Sequence, residues 1–216
     1  MIHFDSGFAI EQFPELLKAV PTTLFIAVMS MILGMLCGSL LAFCRIYKVP
    51  VLQKLAVVYV SFIRGTPILV QMYVIYFSLP ELMILLNNRF GWQMPVNDIS
   101  PLFYAILAFT INSTAYQSEV IRSGVNAIDS GQMEAALAVG MTTFQGIRRI
   151  ILPQALLVAL PNFGNIFINL IKATSLAFAV KAIEIMAVAK INASYDYRYL
   201  EMYVDAAIIY WVICAF

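Results

Sequence analysis

The residues that could do chemistry in this sequence are polar side chains inside long apolar runs. Asn112, Tyr116 and Glu119 follow each other at positions i, i+4 and i+7, so they share one helical face, with Ser113 beside them. If that helix begins at Pro101 and rises ~1.5 Å per residue, Asn112 lies near the middle of a ~30 Å hydrocarbon layer. Polar groups at that depth are expensive. They indicate either a path for a polar solute or hydrogen bonds between helices.

Three asparagines repeat this pattern in a later apolar run. Asn162, Asn165 and Asn169 share one helical face just after Pro161, which cannot donate a backbone hydrogen bond. Such a face must point to a polar lumen or to a partner helix. We therefore treat the three amides as candidate solute contacts, with helix packing as the alternative.

A break in an earlier run supplies another candidate. Residues 64–67, Arg-Gly-Thr-Pro, interrupt an apolar stretch, and Gln71 lies one helical turn beyond them. Broken helices with freed backbone groups often mark binding sites within membranes. Arg64 itself is interpreted more simply, as a long side chain that reaches the membrane surface.

Charged residues near the ends of the runs have competing interpretations. Glu119 and Arg122, three residues apart, are expected to pair with each other or with neighbouring loops. Thr174 and Ser175 follow Lys172 at the outward end of the fourth run and are candidate solute contacts. Lys172 could meet a substrate carboxylate, or it could neutralise Glu184 or a lipid headgroup.

The composition is that of a membrane protein. Of 216 residues, 62% are hydrophobic and 12% are charged, and the mean hydropathy is +0.87; soluble domains carry about 25% charged residues. The single histidine, His3, and three cysteines cannot build a typical zinc site. We expect no bound metal, no catalytic residue and no nucleic-acid partner.

Long, continuous apolar runs predict an all-α integral membrane protein in one domain, residues 1–216. About five transmembrane helices are expected, over residues 21–45, 55–80, 101–122, 150–172 and 200–216.

The last run stops at Phe216, so we expect a missing C-terminal end. The first twenty residues lack a basic head before a short apolar core, so no cleavable signal peptide is expected. Residues 174–189 are predicted to form one buried or partly re-entrant helix.

Basic residues in short loops predict the orientation. Six fall on one side of a five-span chain: Arg45, Lys48, Lys54, Arg122, Arg148 and Arg149. Three others oppose this assignment: Lys181, Lys190 and Arg198. The larger group places the N-terminus outside and the segment 131–149 in the cytoplasm.

The segment 131–149 is mildly polar and too short between its glycines to cross a bilayer. Gly131 to Val139 is predicted to form one short helix that ends at Gly140 in the left-handed region. Thr142 or Thr143 can cap the next turn. The predicted product is a compact helical elbow on the cytoplasmic face. From these residues alone, an ordinary amphipathic loop is an equal alternative.

The elbow resembles the EAA loop of ABC-importer permeases. Seven positions match that motif at the family's spacing: Glu134, Ala135, Ala136, Gly140, Ile150, Leu152 and Pro153. The resemblance implies a coupling helix that docks on a separate ATPase subunit and transmits its movements, with coupling residues Glu134, Ala135, Ala136 and Gly140. The chain has no Walker A motif, so ATP hydrolysis is expected on that partner.

Other motifs are similar to the polar amino-acid uptake family of type I importers. Residues 62–67 with Gln71, and residues 112–116, match its second-span and third-span motifs. Residues 172–176 resemble the family's Lys-Asp-Thr-Ser-Leu, except that Ala173 replaces the aspartate. Residues 175–179 are similar to cystine-type permeases in particular.

The resemblance implies a fold of about five spans with the coupling helix between the third and fourth. It implies two permease copies, or this chain with a homologue, in a bacterial cell membrane. An extracytoplasmic amino-acid-binding protein would deliver the solute, and ATP–Mg would bind the partner ATPase. Alternating access would then import a polar amino acid. The alternatives are an ion-coupled secondary amino-acid transporter and a non-transporting membrane scaffold or sensor. A secondary transporter would be expected to contain an inverted repeat, and none is found in the sequence.

Overall fold

The computed structural model describes residues 4–96 and 98–215; His3 and Phe216 lie outside the described residues. Within these ranges every regular element is a helix, which confirms the all-α prediction. The α-helices are α1 Ser6–Leu17, α2 Val20–Ile46, α3 Leu52–Gly65, α4 Ile68–Phe90, α5 Pro101–Asn126, α6 Ser130–Ala138, α7 Thr143–Gly146, α8 Leu152–Ala173, α9 Ile185–Asp196 and α10 Tyr199–Ala215. A π-helical turn, Ile147–Ile151, joins α7 to α8, and a 3-10 segment, Thr174–Val180, follows α8.

Several helices are suited to a lipid environment. Among the described residues, three helical stretches are long and apolar enough to cross a membrane: Val20–Ile46, Ile68–Phe90 and Thr143–Val180. Large apolar side chains stay exposed along them, among them Leu40, Phe77 and Leu157. Because water would penalise such surfaces, they fit contact with lipid. The number of spans and the single-domain organisation stay predictions.

The helix boundaries follow local signals in the sequence. Ser100 Oγ accepts a hydrogen bond from the Leu102 amide at 3.3 Å, so α5 begins at Pro101 as predicted. The predicted break at residues 64–67 separates α3 from α4. The helix after this break runs past residue 80 to Phe90, because Pro80 is accommodated inside it and Gly91 ends it at φ +68°.

The prediction of one helix over residues 174–189 is wrong. The 3-10 segment stops at Val180, and Lys181 adopts the left-handed conformation with φ +64°. Glu184 then caps α9, accepting hydrogen bonds from the Met186 and Ala187 amides. A side chain that satisfies two free amides starts a new helix at that point.

The chain groups into two compact units. The first comprises residues 1–31, 66–110 and 168–216. Its apolar core joins α1, α9 and α10 through Leu16, Ile185, Met202 and Ile209. Within the same unit, α4 packs against the 3-10 segment.

The second unit comprises residues 32–65 and 111–167. Here α2 approaches α5 very closely: a Cβ atom on Gly38 would lie 3.1 Å from both the Ser118 nitrogen and the Thr114 carbonyl oxygen. Val60 and Ile63 of α3 pack on Ala115 of α5. This unit contains the whole elbow.

Candidate functional site

The elbow begins with a capped helix. Asp129 Oδ1 accepts a hydrogen bond from the Gly131 amide at 2.7 Å, and α6 runs from Ser130 to Ala138. Gly140 follows at φ +84°, in the left-handed region that the sequence predicts for it. A residue with a side chain is disfavoured there, so glycine sets the sharp turn after α6.

The second part of the elbow has its own cap. Thr142 Oγ1 accepts from the Gln145 amide at 3.3 Å, and Gln145 Oε1 accepts from the Thr142 amide at 2.9 Å. This reciprocal capping box begins α7, and Thr142 is one of the two residues predicted to cap it. The π-helical turn with Arg148 and Arg149 then leads into α8.

The two parts of the elbow are packed tightly together. A Cβ atom on Gly146 would lie 2.9 Å from Met133 Sδ and 3.3 Å from Ala136 Cβ. Ala136 is buried in this contact, whereas Ala135 is exposed. The two alanines of the motif therefore have different roles: Ala136 holds the elbow together, and Ala135 lies on its surface.

The exposed surface of the elbow carries apolar side chains and the Glu134 carboxylate, beside polar residues such as Gln132, Thr143 and Arg148. Glu134 and Ala135 are exposed, and so are Leu137, Val139 and Phe144. We call these five residues the elbow surface. Large apolar side chains grouped on a polar segment are typical of a docking surface for another protein.

Behind the elbow lies a partly open cavity of about 360 Å³, lined by residues of the second unit. Phe43 of α2 and Tyr47 just after α2 line one side, and Met133 and Ile147 of the elbow line another. Ile121 and Val125 of α5 line the cavity too, so the elbow is not packed solidly against the end of α2 or of α5. The elbow contacts α8 through Gln132, which accepts a hydrogen bond from Gln154 Nε2 at 3.5 Å.

An ion network fixes α2 to α5 near the elbow. Glu119 Oε2 accepts from Arg122 Nη2 at 2.8 Å and from Arg122 Nε at 3.1 Å, which confirms the predicted pairing. Glu119 Oε1 accepts from Arg45 Nη1 of α2 as well. The sequence did not indicate Arg45 as a partner, because 74 residues separate it from Glu119.

Glu119→Gln should destabilise the protein by about 1–3 kcal/mol, since two guanidinium groups would lose their shared carboxylate. The side chains of Arg45 and Glu119 are only 14% and 19% exposed, so water would replace little of that interaction. Glu15→Gln is the control, because Glu15 and its partner Lys18 are 51% and 70% exposed. The measurement is the melting temperature of the solubilised protein. A drop no larger than that of the control would contradict the role of Glu119.

Two predicted pathway residues of α5 have defined neighbours in the second unit. Ser113 is buried and accepts a hydrogen bond from Gln117 Nε2, and both side chains lie against Gly34 of α2. Tyr116 is partly exposed, and the Arg64 guanidinium lies 5.6 Å from its ring centroid. Ser113 thus takes part in helix packing, while Tyr116 and Asn112 keep accessible surface.

The asparagines of α8 lie on an open surface. Asn162 and Asn165 are exposed, and nothing lies within 4 Å of a Cβ atom placed on Gly164 between them. Helix α8 continues through Pro161 without interruption. Asn169, described with the first unit, is exposed as well. Exposed amides on an apolar helix fit either a polar lumen or a further protein chain.

The other pathway candidates belong to the first unit and make local hydrogen bonds. Gln71 is buried and donates to Thr66 Oγ1 at 2.8 Å. Thr174 Oγ1 and Ser175 Oγ donate to backbone carbonyls three residues earlier. Within this unit α4, which contains Gln71, packs on the segment of Thr174 and Ser175. The assignment of all these residues to a solute path stays a prediction.

The Glu184 carboxylate has hydrogen-bond partners other than Lys172, the residue that the sequence suggested for it. Its carboxylate accepts from the Tyr210 hydroxyl at 2.5 Å and from two backbone amides. No ion pair between Glu184 and Lys172 is recorded among the described residues. Lys172 is exposed near the end of α8.

Comparison with known proteins gives closely matching sequences. The chain is 43% identical to the probable amino-acid permease protein YxeN of Bacillus subtilis (strain 168), over 97% of this chain and 89% of the relative. It is 35% identical to the L-cystine transport system permease protein TcyL of the same organism, over 97% and 85%. It also resembles a chain in the crystal structure of an amino acid ABC transporter with histidines. There the TM-score is 0.83 and the identity 31%, over 99% of this chain and 94% of that one.

A family model covers most of the chain, including α3, the elbow, α8 and α10. The match extends over residues 30–216, and the family is described as the binding-protein-dependent transport system inner membrane component. The relatives match this chain over nearly its full length at 35–43% identity. The chain therefore belongs to the family of inner membrane components of binding-protein-dependent transport systems.

Proposed function

We propose that this chain is the permease subunit of an ATP-driven importer of a polar amino acid. The observation that supports this most is the elbow: a pair of capped short helices with exposed apolar side chains, in a chain of this transport family. Exposed apolar side chains on such a segment are suited to docking another protein. The names of the relatives YxeN and TcyL support an amino acid as the solute.

We assign the coupling role to four residues of the elbow, each with a physical task. Glu134 and Ala135 are exposed and would meet the ATPase subunit directly. Ala136 packs under Gly146, so that the two elbow helices move as one body. Gly140 supplies the left-handed turn that joins them. ATP–Mg would bind the partner, and this chain would contribute no catalytic group.

For the solute path we retain the residues that the sequence singled out. They are polar side chains at membrane depth or beside helix breaks: Gln71, Asn112, Ser113, Tyr116, Asn162, Asn165, Asn169, Thr174 and Ser175. The exposed asparagines of α8 are the strongest of them, because amides facing lipid would be unfavourable. Amide groups can accept from an ammonium and donate to a carboxylate, which suits a zwitterionic amino acid.

The remaining assembly follows from this assignment. We place the chain in the bacterial cytoplasmic membrane as a multi-pass protein, with the N-terminus outside and the elbow inside. It would pair with a second copy or with a homologous permease, and an extracytoplasmic binding protein would supply the solute. Closure of two ATPase subunits on the elbows would switch the path between its outward-open and inward-open states.

Transport by proteoliposomes tests this proposal against ion coupling. The permease would be reconstituted with its ATPase and binding protein, and uptake of labelled amino acids, cystine among them, would be measured. We expect uptake to require trapped ATP–Mg and to persist when ionophores collapse the ion gradients. Uptake that needs a gradient but no ATP would instead establish a secondary transporter.

A further inference from the structure

Asp205 is a buried carboxylate inside the apolar helix α10. The residue is only 5% exposed, and its Oδ2 atom has no hydrogen-bond partner among the described residues. An unpaired charge in such a place is strongly unfavourable, so ionisable residues within membrane helices usually mark a functional contact. Asp205 lies outside the elbow and outside the predicted solute path.

Asp205 lines a groove between α1 and α10, within the first unit. The groove has a volume of about 310 Å³ and is formed by Ala9, Ile10, Phe13, Pro14, Asp205 and Ile208. Its walls are apolar apart from the one carboxylate. A ligand that fits must therefore combine a cationic or hydrogen-bond-donating group with apolar parts.

The nearby charged residues already have partners. Glu201, one helical turn before Asp205, accepts from the Asp5 amide at 3.0 Å and from Arg198 Nη1 at 3.3 Å. Arg198 also pairs with the Asp5 carboxylate at 3.4 Å. These contacts engage Arg198 at the start of α10. None of these contacts supplies a cation to Asp205.

Aromatic residues indicate the depth of the groove. Exposed tyrosines lie between the end of α9 and the first turns of α10: Tyr195, Tyr197, Tyr199 and Tyr203. Tyrosine is enriched at the membrane–water interface, where its hydroxyl reaches the lipid headgroups. Asp205 lies two residues beyond Tyr203, which is about 3 Å along a helix. The carboxylate is thus within reach of a lipid headgroup.

The groove opens onto apolar surface. Ile10 is 74% exposed and Ile208 is 42% exposed, so both ends of the groove border side chains suited to acyl chains. We propose that this groove binds the primary ammonium headgroup of an aminophospholipid, phosphatidylethanolamine, through the Asp205 carboxylate. An ammonium donates three hydrogen bonds to carboxylate oxygens. A choline headgroup has no N–H to donate, and phosphatidylglycerol lacks the cation.

Lipid retention measured by native mass spectrometry tests this proposal. The full chain, extracted with its natural subunits, would be delipidated and titrated with phosphatidylethanolamine, phosphatidylcholine or phosphatidylglycerol. We expect tight binding of phosphatidylethanolamine only. Asp205→Asn should weaken that binding about tenfold, because a charge-assisted hydrogen bond is lost. Asp205→Glu keeps the charge and should retain most of the binding.

Glu11→Gln is the matched control, since Glu11 is an exposed carboxylate on α1 next to Ile10. Glu11→Gln should leave lipid retention unchanged. If it lowered lipid retention as much as Asp205→Asn does, the effect would be one of general surface charge, and the proposal would be overturned. The melting temperature in phosphatidylcholine vesicles checks that Asp205→Asn folds. Phosphatidylethanolamine vesicles should raise the melting temperature of the wild type but not of Asp205→Asn.

Two further results would overturn the proposal. One is equal retention of phosphatidylethanolamine by the wild type and Asp205→Asn. The other is loss of a protein subunit from Asp205→Asn with lipid retention intact, which would assign the groove to a basic side chain of a partner. Lipid retention and subunit loss can both be measured whichever solute the complex transports.

Discussion

Glu134→Lys is expected to abolish ATP-driven transport and to release the ATPase subunit from the purified complex. Glu134 is the carboxylate of the otherwise apolar elbow surface, so it would contact a basic group of the partner. Reversing a charge in an interface places like charges together and weakens binding by about 100-fold. The fold should survive, because no hydrogen bond or ion pair of Glu134 is recorded among the described residues. Co-purification and proteoliposome uptake measure the two effects.

Glu81→Lys is the control for this charge reversal. Glu81 is exposed on α4 and does not belong to the elbow, so the same change of net charge should leave the ATPase bound. Ala135→Leu tests the exposed alanine of the motif independently and should also weaken docking by overfilling the contact. If Glu134→Lys transports at the wild-type rate with the ATPase attached, the elbow is not the coupling element.

Contacts between the helices that flank the elbow would transmit its movement to the membrane helices. A Cβ atom on Gly124 of α5 would lie 3.0 Å from the Ala155 carbonyl oxygen of α8 and 3.3 Å from Ala159 Cβ. The helices before and after the elbow therefore touch where it leaves and re-enters the membrane region. Within the elbow, Gly146 packs on Ala136, and the π-helical turn continues directly into α8, so a movement of the elbow would be passed to α8 and from there to α5.

Local signals in the sequence were enough to predict two of the helix ends in the elbow. Gly140 and Thr142 act at the helix ends through their own backbone neighbours, so the spacing alone locates them, whereas the Asp129 cap was not predicted. The break at residues 64–67 is equally local. By contrast, residues 174–189 contain no strong breaker, and the turn at Lys181 was missed because it needs a left-handed lysine.

Contacts between distant segments could not be predicted in this way. Arg45 looked like an ordinary basic loop residue, and only the packing of α2 on α5 brings it to Glu119. The sequence shows Asp205 as a charged residue in an apolar run. Its groove cannot be predicted from that run, because it forms between α1 and α10. The different roles of Ala135 and Ala136 likewise depend on where Gly146 lies.

The approach of α2 to α5 has a partial signal in the sequence. Gly34 and Gly38 are four residues apart, the spacing at which two small residues let membrane helices come together. The spacing does not identify the partner helix. In the structure the surface opposite the glycines is polar and buried, formed by Ser113, Gln117 and Ser118 of α5.

Gly38→Leu is expected to destabilise the protein by about 3 kcal/mol, mainly by forcing α2 away from α5. The first side-chain carbon alone would lie 3.1 Å from two backbone atoms of α5, which cannot rotate away, and 3.2 Å from Gln117 Cβ. Three further carbons have no space. Separation of the helices would also expose the buried Ser118 and disturb the pair of Ser113 and Gln117, leaving polar groups without partners.

The measurement is the fraction of solubilised protein that stays monodisperse after heating, followed by size-exclusion chromatography. Gly164→Leu is the matched control, because Gly164 also lies inside a membrane helix but has open space where a Cβ would be. Leucine also favours helix more than glycine does, by about 0.8–1 kcal/mol, so the control variant should melt no lower than the wild type. Gly38→Leu should melt well below both. Equal melting of the two variants would show that the α2–α5 contact at Gly38 contributes nothing to stability.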